Sequence, residues 1–439
     1  MTRKVPYHPI NSELVRKNQT LSVNQGWHMS TRHYTINQFF RQMPNELLAR
    51  YFYCCSEFKG FDFKSAEDVN PHDLLRQWNS LPEDARAEHE ITFREIHSLS
   101  CEKGFYAILD ELKWQLRAEI TRAEEIQKQL SKLPNHFHRA MVTYLDHTFC
   151  WRGASRFYRA DSLSSWRKRK HLGHKPARVE QQHLDEFNRM LCEYLQSAQG
   201  RGRNSIVEPF RRGDRDYFFA YPEDHSVQEV EWEKGKLIRR PHNPAFEIIF
   251  VYSQAEGSLD IYYRGPRKPV QSFQEIFAYS ILGLDELPPD PANEKVYDLN
   301  PLGDRGYHFV FNPDNDIKHA SIQKIRFSSR TRKGERILVE TGNPDNSLAI
   351  YDTIERMVKT GQLRHCNVTQ IEVVADIGES GTDKTKRKRF RVTHPNSCTL
   401  KYDKAGILLR NMLEESGIEP KDREEATHQE PLPLSKSNS

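Results

Sequence analysis

The residues best suited to chemistry in this chain lie between Trp151 and Arg178, WRGASRFYRADSLSSWRKRKHLGHKPAR. Nine Lys or Arg side chains stand there against one acid, Asp161, a formal +8 in a chain whose total is +4. The remainder therefore sums to −4, and the positive charge is gathered rather than spread. Trp151, Phe157, Tyr158 and Trp166 are interleaved with it. Guanidinium and ammonium groups neutralise phosphates, and flat rings stack on bases. The pattern predicts association with DNA or RNA. Arg152, Arg156, Arg159, Arg167, Lys168, Arg169 and Lys170 would contact phosphates, with Phe157, Tyr158 and Trp166 available for stacking. Two further basic groups could join them. One is Arg201 and Arg203 with Arg211, Arg212 and Arg215. The other is Lys384, Lys386, Arg387, Lys388, Arg389 and Arg391, near the turn of an expected hairpin that could track a groove as a β-ribbon. The competing reading makes the 151–178 segment an intramolecular strap across acidic helices.

Arg169 and His174 have four residues between them. In this Arg-x4-His spacing the pair resembles the catalytic motif of HEPN-type ribonucleases, which implies a helical bundle and cleavage of an RNA backbone, the His in acid–base chemistry. Gly173 and Pro176 oppose a regular helix there. The run Gly378-Glu-Ser-Gly-Thr-Asp-Lys384-Thr385 superficially resembles a Walker A loop. It fails on mechanism, because Asp383 replaces the glycine before the lysine and a strand-like KRKRFRV follows. The carboxylates Glu223, Asp224, Glu229, Glu231 and Glu233 miss the acid-x-Lys spacing of a metal-dependent nuclease, and read as a solvated strand face. His136, His138 and His147 form no i, i+4 metal pair. No Gly-x-Ser-x-Gly elbow occurs. No cofactor or metal is expected, and the balance leans away from an enzyme. A non-enzymatic interaction scaffold is the alternative to nucleic-acid binding, with a metal-independent ribonuclease behind it.

The elements that must position these residues follow from periodicity. At 439 residues the chain has room for two or three domains with real cores. No apolar run is long enough to span a bilayer, and the N-terminus lacks a secretory pattern. Seven cysteines without a CxxC pair predict neither disulfides nor structural zinc, and a reducing cytoplasm. Residues 1–33 read as an extended or mobile arm. From 34 to 199 the pattern is helical. Pro44 marks a helix start, and Pro82 opens another helix. A single long amphipathic helix is expected over 103–133, with Leu109, Leu112, Leu116, Ile120, Ala123, Ile126 and Leu130 on one face. That helix could pair with a protein partner or a second copy. Further helices are expected over 136–149 and 179–195.

Beyond Gly200 the periodicity changes from helical to alternating. Three hairpin–helix units follow: 246–263 with a helix opened by the capping box Ser272–Glu275, 325–359, and 371–415. The expected division is 200–284, an acidic Pro-rich linker over 285–295, 296–419, and a disordered tail over 420–439. The fold class expected is α+β, a helical N-terminal half followed by antiparallel hairpins packed with helices.

Overall fold

The computed structural model describes residues 33–53, 55, 58–63, 71–233, 235–288, 296–311, 316–342, 346, 348–378 and 385–419. Almost all of the expected arm, residues 289–295 of the expected linker, and the expected tail lie outside them. The fold is α+β, with twelve α-helices among the described residues, a ten-stranded antiparallel sheet and a separate two-stranded one.

Eight helices precede the main sheet: α1 (Ile36–Gln42), α2 (Asn45–Phe52), α3 (Pro71–Asn79), α4 (Glu83–Leu99), α5 (Glu102–Gln115), α6 (Ile120–Lys132), α7 (His136–Asp146) and α8 (Thr148–Ser162). Pro44 and Pro82 stand at the N-caps of α2 and α4, and Asn135 caps α7 by accepting from the Phe137 and His138 backbone N–H. Phe39, Phe52, Trp78, Phe93, Ile108, Leu112, Ile126, Leu130 and Met141 meet in one apolar core.

The long helix over 103–133 is a correction. A straight rod of that length would run about 46 Å. The chain instead leaves helical geometry at Leu116 (φ −101°, ψ 26°) and restarts at Ile120. The sequence there holds ordinary helix formers, so packing imposes the break. Breaking lets Leu112 and Leu116 on one side and Ala123, Ile126 and Leu130 on the other reach the same core. Apart from Ile120, which is exposed, the apolar face offered for a partner is therefore covered by the chain's own helices. A second break, at His147 (φ −131°, ψ 47°), divides α7 from α8, and α8 carries helix into the basic segment as far as Ser162. The two helices α5 and α8 approach closely at Gly153, where a Cβ would fall 2.3 Å from the Glu111 carboxylate.

The sheet contains β1 (Trp166–Arg169), β2 (Val207–Arg212), β3 (Arg215–Ala220), β6 (Ile248–Ser253), β7 (Ser258–Tyr263), β8 (Ile317–Ser329), β9 (Arg336–Glu340), β10 (Cys366–Gly378), β11 (Thr385–Thr393) and β12 (Ser397–Cys398). Their order is β2-β3-β6-β7-β1-β12-β11-β10-β8-β9. The three expected units are β6–β7 with α10 (Pro269–Ser280), β8–β9 with α11 (Ala349–Lys359), and β10–β11 with α12 (Lys404–Glu415). Helix α9 (Gln181–Gln199) ends at Gly200, whose φ of 67° suits a residue without a Cβ. The capping box at Ser272 is corrected: α10 starts earlier, with Pro269 in its first turn, because proline's fixed φ suits that position.

The short β1 comes from the basic segment itself. It pairs with β7 on one side and β12 on the other, joining the strands of 200–284 to those of 296–419 in one sheet. Directly opposed residues share a face. Trp166 opposes Cys398, and both lie on the side covered by α8, α11 and α12. Arg167 opposes Ile261 on the other side, where α9 and α10 cover β3, β6 and β7 through Phe187, Leu191, Phe218, Phe250, Phe273 and Phe277. The remaining strands, β4 (Val227–Glu233) and β5 (Lys236–His242), make a solvent-exposed arm.

Candidate nucleic-acid interface

Most of the basic segment is spent inside the fold. On α8, Arg152 and Arg156 both reach Glu208 on β2, the latter at 3.1 Å, and Arg159 reaches Glu247 at 3.2 Å. Phe157 is fully buried against Tyr217 and Phe210. Tyr158 is half-buried against the helical core, and its hydroxyl faces the Cys101 thiol at 3.7 Å. Trp166 is fully buried between Tyr262 and Tyr402 and donates its ring N–H to the Leu163 carbonyl. In this arrangement Phe157 and Trp166 have no ring face toward solvent, so neither can stack on a base.

The next cations are buried as well. Lys168, 3% exposed, donates to Glu256 at 2.8 Å and to Glu419 at 2.6 Å. Lys170 lies 3.5 Å from the same Glu419, and Arg169 donates to the Pro288 carbonyl. Burial works against the Lys168 charge, but Glu419, Asp260 and Glu256 outweigh it and raise its pKa above the ordinary lysine range. Burial likewise opposes the Glu256 carboxylate, but Lys168 and Arg215 hold its pKa well below the usual range. Glu256, Glu414 and Glu419 bring their oxygens within 4.8 Å of one another. Lys168, Lys170 and Arg215 already pair with Glu256 and Glu419, so these two acids form an ionic lock between β1 and the chain after α12, while burial and the two neighbouring carboxylates raise the Glu414 pKa. The strap reading of the segment describes these contacts, with one difference: the acids sit on β2, just before β6, in the β6–β7 turn and at residue 419 rather than on the helical bundle.

The HEPN-like pair is not assembled. Between Arg169 and His174 the chain is not helical, His171 and Gly173 having φ of 60° and 72°. Arg169 points to Pro288, whereas the His174 Nδ1 lies 2.9 Å from the Gln254 carbonyl. The Walker-like run falls mostly outside the described residues, but its ends, Gly378 and Thr385, pair across β10 and β11 as a hairpin connection requires. Glu229, Glu231 and Glu233 are exposed on β4.

Of the second basic group, Arg201 is paired with Asp224 at 2.7 Å and lies over the Phe246 ring, while Arg203 is exposed. Arg212 is held bidentately by Asp161, both bonds at 2.9 Å. Arg215 joins the Glu256 lock.

The third group differs. On β11, Arg387, Arg389 and Arg391 alternate with Lys388, Phe390 and Val392. Phe390 and Val392 turn to the core with Val373, Ile371, Ile322 and Ile325, under α11 and α12. The three arginines take the opposite face. Register adds Glu372, Val374 and Asp376 from β10, His319, Ser321, Lys324 and Arg326 from β8, and Arg336, Leu338 and Glu340 from β9. Among the described residues no helix covers this half of the sheet on that side, because α9 and α10 stop over β7. Arg389 is 60% and Arg391 51% exposed, although both approach Glu372, at 3.6 and 3.3 Å. Arg387 pairs with Asp376 at 2.8 Å and Lys324 with Glu340 at 2.8 Å. Arg326 and Arg336 have no carboxylate partner among the described residues. Burial and the neighbouring Arg336 and Arg391 depress the Arg326 pKa below its ordinary value. Six cations thus face three acids over four strands, whereas Lys386 and Lys388 alternate with the arginines and take the other face, Lys388 lying 3.8 Å from Asp403.

The contribution of β8 and β9 was missed in the sequence. Its signal was the alternation of Lys324, Arg326 and Ser328 with Ile325 and Phe327, and of Arg336, Leu338 and Glu340 with Ile337 and Val339. No protein-family model, curated protein or solved structure matches this chain.

Proposed function

We propose that this is a cytoplasmic, non-enzymatic nucleic-acid-associated protein that holds a phosphate backbone on the open arginine face of β8–β11. The carrying observation is the cluster Arg326, Arg336 and Arg391, in which burial and the two neighbouring guanidinium groups lower the Arg326 pKa on a face that no described helix covers. A polyanion relieves that repulsion and releases its own counterions. The described face carries no Phe, Tyr or Trp ring, which favours backbone contact over base stacking and predicts little sequence preference. Seven scattered cysteines with no CxxC pair in the sequence support a reducing compartment.

The test uses the full chain with labelled single-stranded and duplex DNA and RNA at low salt. The triple variant Arg326→Gln, Arg336→Gln, Arg391→Gln changes surface groups only and should fold. It is expected to bind at least tenfold more weakly than the unaltered chain. Binding by the triple variant at unaltered strength, or no binding of any probe to the parent, overturns the proposal.

A further inference from the structure

Where β1 begins and β7 ends, a cavity of about 370 Å³ is lined by Ser162, Leu163, Ser164, Ser165, Arg167, Tyr262, Tyr263, Arg264 and Ser397. Its lining contains two guanidinium groups and four hydroxyl-bearing serines, and no carboxylate. Arg167 donates through Nη2 to the Gly265 carbonyl at 3.2 Å, while its Nη1 is shielded from solvent and has no hydrogen-bond partner. A buried N–H of a charged group left unpaired is costly, and such orphans occur where a ligand completes the set. Burial and the neighbouring Arg267 lower the Arg167 pKa, and the acid that feels the lining Arg264, Glu247, is already paired with Arg159. Ser165 is held at φ 74°, a left-handed conformation that costs a serine energy and is retained where surroundings enforce it.

We propose that this cavity takes a terminal phosphate, the monoester at the 5′ end of a nucleic-acid strand whose following phosphates lie on the arginine face. The inference rests on the nucleic-acid reading and adds the ligand's end group and its polarity. Arg167 and Arg264 would supply the compensating charge, and the serine hydroxyls would donate to the phosphate oxygens. The cavity and the face are connected by one cross-strand row, Arg167–Ser397–Thr393–Gln370–Arg326. Four strand spacings put Arg326 about 19 Å from Arg167. A monoester carries more charge than an internal diester and leaves one side free of chain, which suits a blind cavity at the end of an open track.

The experiment compares one oligonucleotide with a 5′-phosphate and with a 5′-hydroxyl, binding to the full chain. The phosphorylated form is expected to bind about tenfold more tightly, the worth of one charge-assisted hydrogen-bond set. In Arg167→Gln, and in Ser164→Asp, which puts an anion at an exposed lining position, the preference should vanish while the 5′-hydroxyl form binds as before. Inorganic phosphate should compete away only the increment due to the end group. Equal binding of the two oligonucleotides, or a preference that survives in both variants, overturns the inference and leaves the nucleic-acid reading standing. Binding of neither sinks both.

Discussion

Lys168→Met is the sharpest perturbation of the ionic lock. It keeps most of the side chain's length and removes only the charge. In the folded chain the ammonium sits 2.8 Å from Glu256 and 2.6 Å from Glu419, and Glu419 is fully buried. Breaking a buried ion pair typically costs about 3–5 kcal/mol, because the remaining charge is left without compensation. Lys170 stays 3.5 Å from Glu419 and Arg215 stays with Glu256, so the lower end applies, about 3 kcal/mol. Equilibrium urea unfolding followed by circular dichroism reads this as a lower midpoint at an unchanged slope. Adding Glu419→Gln to Lys168→Met should recover much of the loss, since the orphaned carboxylate is then neutral. Arg122→Met is the exposed control: it removes the Arg122–Glu119 pair, whose groups are 58% and 56% accessible, and should cost below about 0.5 kcal/mol. A Lys168→Met loss under about 1 kcal/mol would refute the reasoning, because the pair would then behave like one in water.

Two further outcomes follow from the same geometry. Glu256 has a folded pKa far below its unfolded value of about 4.3, so its contribution is present above that pH and is lost as the pH falls through the acid range. Melting temperatures from pH 7 to 3 should drop along this limb, and Lys168→Met should flatten it; an identical acid limb in the variant contradicts the assignment. Trp166→Ala should cost about 3–5 kcal/mol of stability, as buried aromatic truncations do. The protein that remains folded should bind nucleic acid as before, whereas lost binding at unchanged stability would restore Trp166 as a stacking residue.

Much of the C-terminal architecture is written in period-two alternation. Ile248 to Tyr252, Leu259 to Tyr263, and the KRKRFRV run all become strands, although the alternation begins at Phe246, and the helices after them end near glycines such as Gly283, Gly361 and Gly417. The N-terminal helices are legible except at their joints. Nothing local at Leu116 signals the break, because it arises from two helical faces sharing one core. The basic segment shows the same limit for function. Its charge is plain in the sequence, but its partners are remote: Glu208 lies 52 residues from Arg156, and Glu419 lies 251 residues from Lys168. Charge density reports how many cations there are and not which acids they will meet. The surface that stays cationic is set instead by strand register, which brings Arg326 and Arg336 beside Arg391 from three separate strands.

The account's central claim is that the open face of β8–β11 neutralises phosphates, and the salt dependence of binding tests it most directly. For a single strand, each neutralised phosphate contributes about −0.7 to the slope of log K against log salt. The parent chain should give a steep negative slope. The Arg326→Gln, Arg336→Gln, Arg391→Gln variant should give one shallower by about 2, three contacts having been removed. Identical slopes for the two proteins would contradict the claim, because the phosphates would then be held elsewhere.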